Sequence, residues 1–439
     1  MKVNGQLIVM AVLILVSSLS MAVPDIESWE TDKGVKVYFV ATDGLPILDA
    51  KLIIDAGSAR DEEKHGVAAL TSALLNQGAG NSNAQQIAER LESVGAQLGA
   101  STSRDFTTIS YRSLTSEKEL KTSWQLLKDI LNKPTFPLID FERVKQRTLL
   151  RIKQREESPG TLAQLALYEE IYHGHPYANA IQGDEASVQK IQREDLKQFY
   201  QKHYVANNLR VVLVGGISRQ QAEKMVQDLV ADLEMGEKMT RVPAVVLPSE
   251  GKNIHQEYPS QQTHFMYSLP VLKRNDPDYF PLYVGNHILG GSGFSSRIVK
   301  EIREKRGLAY SAYSYFRPMM EKGPFLIGLQ TRNEKVQEAS LAVKKTLQEF
   351  IQRGPTEEEL VAAKKNLIGG FALKLDSNKK LLNNIVGIVV GGVPLDYLNH
   401  YMSNIEAVTR QQIVDAFQRR VLVNKMVMVT VGQAVEQEK

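Results

Sequence analysis

Arg303 and Tyr310 stand where a helix and the following strand would bring a cation and a phenol to one point. The run Ser295 to Lys305 reads as a helix that closes at Gly307, a residue free to take the left-handed backbone of a helix C-cap. A strand is expected from Leu308, with Tyr310, Ala312 and Ser314 on one face. Arg303 on the last helical turn then converges with Tyr310 at the start of the strand. Just upstream, Gly290-Gly291-Ser292-Gly293 lacks the Gly-Lys-Ser/Thr ending of a phosphate loop, which argues against nucleotide chemistry. In the first half, His173 and His175 are two apart and close to Glu169 and Glu170; on a strand they would bite one metal ion. Gly174 between them and Pro176 after them indicate a loop instead.

The elements that must position these residues come twice. Ile191 to Gly215 aligns without a gap on Val408 to Gly432, at a constant offset of 217 residues that carries Gly215 onto Gly432. In both copies an amphipathic helix, with Leu196 or Ile413 and Tyr200 or Phe417 inward, leads through a short loop into an apolar strand that stops at Gly. The apolar helix Gly66 to Leu75, closed by Asn76 to Gly80, likewise matches Phe280 to Leu289, closed by Gly290 to Gly293. Strands are expected at Val35 to Val40 and Ile47 to Ile54, paired around Asp43-Gly44, and at Gln97 to Ser103 and Phe106 to Tyr111, paired around Arg104-Asp105. Apolar residues at spacings of three and four predict long helices over Glu117 to Asn132 and Asp140 to Glu157. The fold class is therefore α+β: two homologous domains, each a largely antiparallel sheet with helices packed on one face. The seam, Gly236 to Tyr258, carries Pro243, Pro248 and Gly251. This divides the chain into residues 23–245 and 246–439, after a leader of residues 1–22.

That leader is a compartment signal. Met1-Lys2 precedes an apolar run from Leu7 to Val16, and small residues stand at Ser20 and Ala22, before a cut that would leave Val23 first. The run is short for a membrane span. The chain has no Cys, so neither a lipid anchor nor a disulfide is available, and an exported domain must be held by its cores. The expected location is the periplasm. With 53 basic against 50 acidic residues, there is no global field to attract a polyanion, so nucleic acid is not an expected partner.

The segment Gly57 to Leu74 resembles the zinc helix of the pitrilysin/insulinase family of metallopeptidases, which writes His-x-x-Glu-His after a Gly-x-Ala run. Two imidazoles four residues apart on one helix face grip Zn²⁺, and the Glu activates its water. Here those positions read Ala69, Ser72 and Ala73. The family's third ligand, a Glu about 75 residues past the second His, would fall in Arg147-Thr148-Leu149-Leu150-Arg151, which has no acid. Loss at every position argues for a retired site rather than a shifted alignment. His65, beside the vanished motif, is expected in a loop. The segment Gly290 to Ser311 is close to the family's C-terminal consensus, and the resemblance spans about residues 25 to 435.

The resemblance implies that Arg303 and Tyr310 reach a zinc site made by another domain. Tyr310 would hydrogen-bond the oxygen that becomes negative on water attack. Arg303 would hold a substrate carbonyl or carboxylate. Gly290, Gly291 and Gly293 would form a flexible substrate-binding loop, similar to that of the non-catalytic subunit of mitochondrial processing peptidases. No metal is expected in this chain. The implied partner is a homologous His-x-x-Glu-His-bearing subunit that carries the zinc, the pair cutting extended peptides. The alternative is a structural or peptide-binding scaffold with no part in catalysis.

Overall fold

The computed structural model describes residues 24–434; the export signal expected at Met1 to Ala22 lies outside the described residues. Strands β1 (Glu27–Glu30), β2 (Lys36–Ala41) and β3 (Ile47–Ile54) lead into helix α1 (Val67–Leu74). A small hairpin, β4 (Gly78–Ala79) and β5 (Ser82–Asn83), precedes α2 (Ala84–Ser93), β6 (Gln97–Thr102) and β7 (Thr107–Leu114). Helices α3 (Glu117–Asn132), α4 (Leu138–Glu156), α5 (Pro159–Ile171), α6 (Glu185–Lys190) and α7 (Arg193–His203) follow, then β8 (Leu209–Gly215) and α8 (Arg219–Val230). The second half runs β9 (Asn253–Glu257), β10 (Gln262–Leu272), α9 (Tyr279–Asn286), α10 (Arg297–Val299), β11 (Ala309–Phe316) and β12 (Gly323–Arg332). It closes with α11 (Val336–Arg353), α12 (Glu357–Gly369), α13 (Asn378–Gly391), α14 (Tyr397–Ala407), α15 (Arg410–Arg420) and β13 (Val427–Gly432).

The first sheet has the order β1-β2-β8-β3-β7-β6 and the second β11-β12-β10-β13-β9. Apart from the extra β1, the two orders are the same once each strand is matched to its repeat, and the single parallel pair recurs as β2–β8 and β13–β9. The hairpin expected around Asp43-Gly44 does not form. β8 lies between β2 and β3 and pairs with both, because its near-continuous apolar run needs cover on both faces and both edges. The hairpin around Arg104-Asp105 does form, with Thr102 opposite Thr107.

The period-2 alternation of β8 shows how the halves join. Val211 and Leu213 face the core formed with the first half's own helices, whereas Val212 and Val214 belong to a core shared with Ile385 and Ile388 of α13, from the second half. The exchange is reciprocal: Ala163, Leu167 and Ile171 of α5 pack with Val427, Val429 and Val431 of β13. Each sheet thus carries its own helices on one face and receives one helix of the other half on the opposite face. Lys51 Nζ on β3 reinforces the join by donating to Asn383 Oδ1 on α13 at 2.6 Å. Leu167 is fully buried in this exchange. Leu167→Ala should therefore destabilise the whole chain by about 2–5 kcal/mol, read as one lowered urea midpoint for both halves. Two separated transitions would show that the halves unfold independently. Among the described residues, no helix is long and apolar enough to cross a membrane.

Candidate functional site

Helix α1 keeps the frame of a metal-binding helix without its donors. Gly66 enters it with φ 102°, a backbone that disfavours any side chain. The Asp61 carboxylate caps it, accepting from the N–H of Gly66 at 2.7 Å and of Ala68 at 2.9 Å. Ala69 is half-buried and Ala73 exposed, so the face four residues apart is open. Ser72 is buried and its hydroxyl has no partner. Helix α4 packs beside α1 and presents a half-buried Thr148 and an exposed Leu150 where the third ligand would stand. Zinc implied by the fold family does not fit these side chains: methyls, a hydroxyl and a threonine replace two imidazoles and two carboxylates. Among the described residues, no group of three or more His, Asp, Glu or Cys side chains could hold a metal.

His173 and His175 do not form a pair. His175 is buried and packs against Tyr177, its Nδ1 accepting from the Tyr177 N–H at 3.1 Å. Its Nε2 therefore carries the proton and donates to the Pro243 carbonyl at 2.8 Å. His173 is exposed. His65 lies in the turn before α1.

A fourth histidine, passed over in the sequence, lies on α7, the helix packed on α1. His203 is 3% exposed and stacks on Phe199, its Nδ1 at 3.1 Å from the Met239 sulfur. Burial, with Lys202 and Arg60 nearby, brings it down to about 4. The unfolded chain protonates this ring below about 6.5 while the folded chain does not, so its contribution to stability is lost as pH falls from 6.5 towards 4. Asp61 works in the opposite sense, because burial pushes its carboxyl up to about 7. The comparison is therefore between the wild type and His203→Gln. Urea midpoints at pH 7 and pH 4.5 should show the wild type losing on the order of 2 kcal/mol more than the variant; equal losses would contradict a neutral buried ring.

In the second half, α9 runs on as a π-helix, His287–Gly291, in place of the flexible loop expected from Gly290. A Cβ on Gly290 would lie 2.3 Å from Ser314 Oγ and one on Gly291 2.9 Å from Asn286 Nδ2. Gly290 lets the helix press onto β11 and Gly291 leaves room for Asn286, which donates to the Ser314 carbonyl at 3.1 Å while Ser314 Oγ returns a bond at 2.7 Å. Gly293, at φ +64°, is open to solvent. The expected helix at Ser295 to Lys305 is α10 continued by a π-helical turn, Lys300–Glu304, and closes at Gly307 with φ +60°.

Arg303 and Tyr310 do converge. The Arg303 guanidinium carbon is 4.6 Å from the Tyr310 ring centroid and 4.7 Å from that of Phe294. Tyr310, Ala312 and Ser314 do not share one face, however. Ala309 pairs with Thr331 and Ala312 with Leu329, so Tyr310 and Ser311 together oppose one partner residue. This bulge turns Tyr310 outward to 82% exposure while Ala312 and Ser314 stay buried. Phe294, 68% exposed, was missed; a large aromatic between Gly293 and Ser295-Ser296 was the signal that could have found it. Among the described residues no carboxylate pairs with Arg303, while its neighbour Glu301 is taken by Lys305 and Arg306.

Comparison with known proteins agrees with this architecture. Residues 41–185 match the family described as Insulinase (Peptidase family M16), and residues 190–367 match the Peptidase M16 inactive domain. The non-peptidase homolog YmxG of Helicobacter pylori is 32% identical over 381 residues, 86% of each chain. A Bacillus subtilis protein named as an uncharacterized zinc protease, also YmxG, is 25% identical over 82% of this chain and 87% of its own. The crystal structure of a peptidase M16 inactive domain from Pseudomonas fluorescens superposes with a TM-score of 0.91 at 36% identity, covering 94% of this chain and 99% of that one. A protease from Helicobacter pylori shares the fold at TM-score 0.86 and 19% identity, over 93% and 99% of the two chains. Two matched M16 domains make this chain a member of the M16 insulinase family, one whose metal helix bears Ala69, Ser72 and Ala73 at the donor positions.

Proposed function

We propose that this chain is the zinc-free subunit of a periplasmic peptidase heterodimer, which binds extended peptides and lends Arg303 and Tyr310 to the site of a His-x-x-Glu-His-bearing homologue. The observation that carries this reading is the Phe294–Arg303–Tyr310 stack. A bulge exposes the phenol, and an arginine with no carboxylate partner among the described residues lies across its ring. An exposed Tyr and an unpaired Arg fixed by packing add little to the stability of an isolated domain, but they suit a surface that meets a second protein and its substrate.

In the assembled site, the partner supplies the metal and the attacking water. A peptide strand lies along a sheet edge, where β6 and β11 leave backbone groups unpaired. Tyr310 donates a hydrogen bond from its hydroxyl to the oxygen on which charge develops, and Arg303 holds a carbonyl or terminal carboxylate of the peptide. Gly293 and its exposed neighbours give the peptide room to approach. Export by residues 1–22 places the pair outside the cytoplasm.

The test is reconstitution. The homologue bearing His-x-x-Glu-His from the same cell should co-purify with this chain from an osmotic-shock fraction. The mixture should cleave unstructured peptides that neither chain cleaves alone. A homologue fully active alone would favour the scaffold reading.

A further inference from the structure

A cavity of 420 Å³ lies between the two halves, apart from Arg303, Tyr310 and helix α1. Its walls are the β6–β7 turn, the equivalent β11–β12 turn and one face of α13. The two turns are tied across the junction. The Asp105 carboxylate accepts from the Met320 N–H at 3.2 Å and from the Tyr177 hydroxyl, and the Tyr177 oxygen accepts from the Glu321 N–H at 3.2 Å.

Three arginines line this cavity, one from each of three segments, and among the described residues none has a charged hydrogen-bond partner. Arg104, only 8% exposed, donates from Nε to the Tyr177 carbonyl at 2.8 Å and from Nη2 to the Asn179 carbonyl at 3.3 Å, with its guanidinium 3.9 Å over the Tyr168 ring. Arg274 reaches the hydroxyls of Tyr279 and Tyr397, and its buried Nε has no partner. Arg317 is exposed, with no hydrogen-bonded partner among the described residues. Burial and the nearby Arg317 charge pull Arg104 below its ordinary value. Asp105 is the only acid among the lining residues, and both its oxygens are already engaged, by the Tyr177 hydroxyl and the Met320 N–H. Gathering three cations around one carboxylate in a concave site costs free energy, which an anion arriving there recovers.

The α13 wall is shaped for an occupant. A Cβ on Gly391 would lie 2.2 Å from Arg274 Cγ, so this glycine lets the arginine cross the helix. A Cβ on Gly387 would meet nothing within 4 Å and would project into open space. Asn383 gives its oxygen to Lys51 and keeps its amide N–H groups for another acceptor. The volume falls in the range of small-ligand sites, about 300–1,000 Å³.

We propose that this interdomain cavity binds a small polyanion bearing carboxylate or phosphate groups, held by Arg104 and Arg317 from the two turns and by Arg274 beside α13. The site is separate from Arg303 and Tyr310 and stands whether or not those residues serve a partner. The ligand grips both halves at once, so it stiffens their junction as well as occupying it.

Calorimetric titration of the full chain with citrate and with pyrophosphate, at low salt and at 0.15 M NaCl (Debye length about 8 Å), tests the proposal. At least one probe should bind saturably, weakly dependent on salt for a recessed site. Arg317→Ala should weaken it about tenfold, and Gly387→Phe, which fills the cavity from a helical position, should abolish it. Arg317 is exposed and Gly387 faces open space, so both variants should keep the ligand-free melting temperature of the wild type. Binding of pyrophosphate alone identifies a phosphate ligand, and binding of citrate alone a carboxylate. No saturable binding of either probe at millimolar concentration, or binding undiminished by either substitution, overturns the proposal.

Discussion

Tyr310→Phe should lower the turnover of the reconstituted heterodimer about 10²-fold, the loss expected for one preorganised donor to a developing negative charge. The substitution removes only the hydroxyl. The ring that lies under the Arg303 guanidinium at 4.6 Å remains, so the stack and the surface around it should persist. Assembly, measured by co-elution of the two subunits, and KM should change little. Arg303→Ala is the contrasting variant. It removes the group that holds the peptide and also the cation packed between Phe294 and Tyr310, so KM should rise first, with a smaller fall in kcat as the Tyr310 ring loses its support. Equal effects of the two substitutions on KM, with kcat untouched, would mean that the stack is a docking surface and that Tyr310 gives no hydrogen bond to the developing charge.

The convergence of Arg303 and Tyr310 was legible because it needs only local rules. A helix that closes at Gly307 and a strand that starts at Leu308 fix the two side chains within eight positions of each other. The bulge was not legible. It depends on which residue of β12 lies opposite each residue of β11, and the strand's own alternation of side chains carries no mark of the extra residue. For the same reason the glycines at 290 and 291 read as a flexible loop. Their need for a missing Cβ comes from Ser314 and Asn286, and the Ser314 contact depends on how the helix lies against the strand. The repeat at an offset of 217 gave the two sheets, but the hairpin at Asp43-Gly44 failed because β8, more than 150 positions later, inserts between its arms. The exchange of α5 and α13 is likewise invisible in periodicity. A helix that packs on a distant sheet shows the same apolar stripe as one that packs on its own.

The metal helix, by contrast, was readable as a loss, and that makes it testable as a gain. The purified chain should hold far less than one zinc per molecule after dialysis. Ala69→His with Ala73→His should create a two-imidazole site, since these positions lie one turn apart on a face that is half-buried at one end and exposed at the other. Adding Thr148→Glu on the adjacent α4 should bring the protein to the three ligands of an open site and tighten zinc binding by about tenfold or more. Metal content by atomic absorption and cobalt spectra in the visible range read the outcome without any peptidase assay. The backbone already provides the entry through Gly66 and the Asp61 cap, and none of the three substitutions fills a fully buried position. Stoichiometric zinc in the triple variant would show that only side chains were lost from this helix. Failure of the triple variant to hold zinc, with its melting temperature unchanged, would show instead that α1 and α4 have shifted apart, so that the frame itself no longer faces one point.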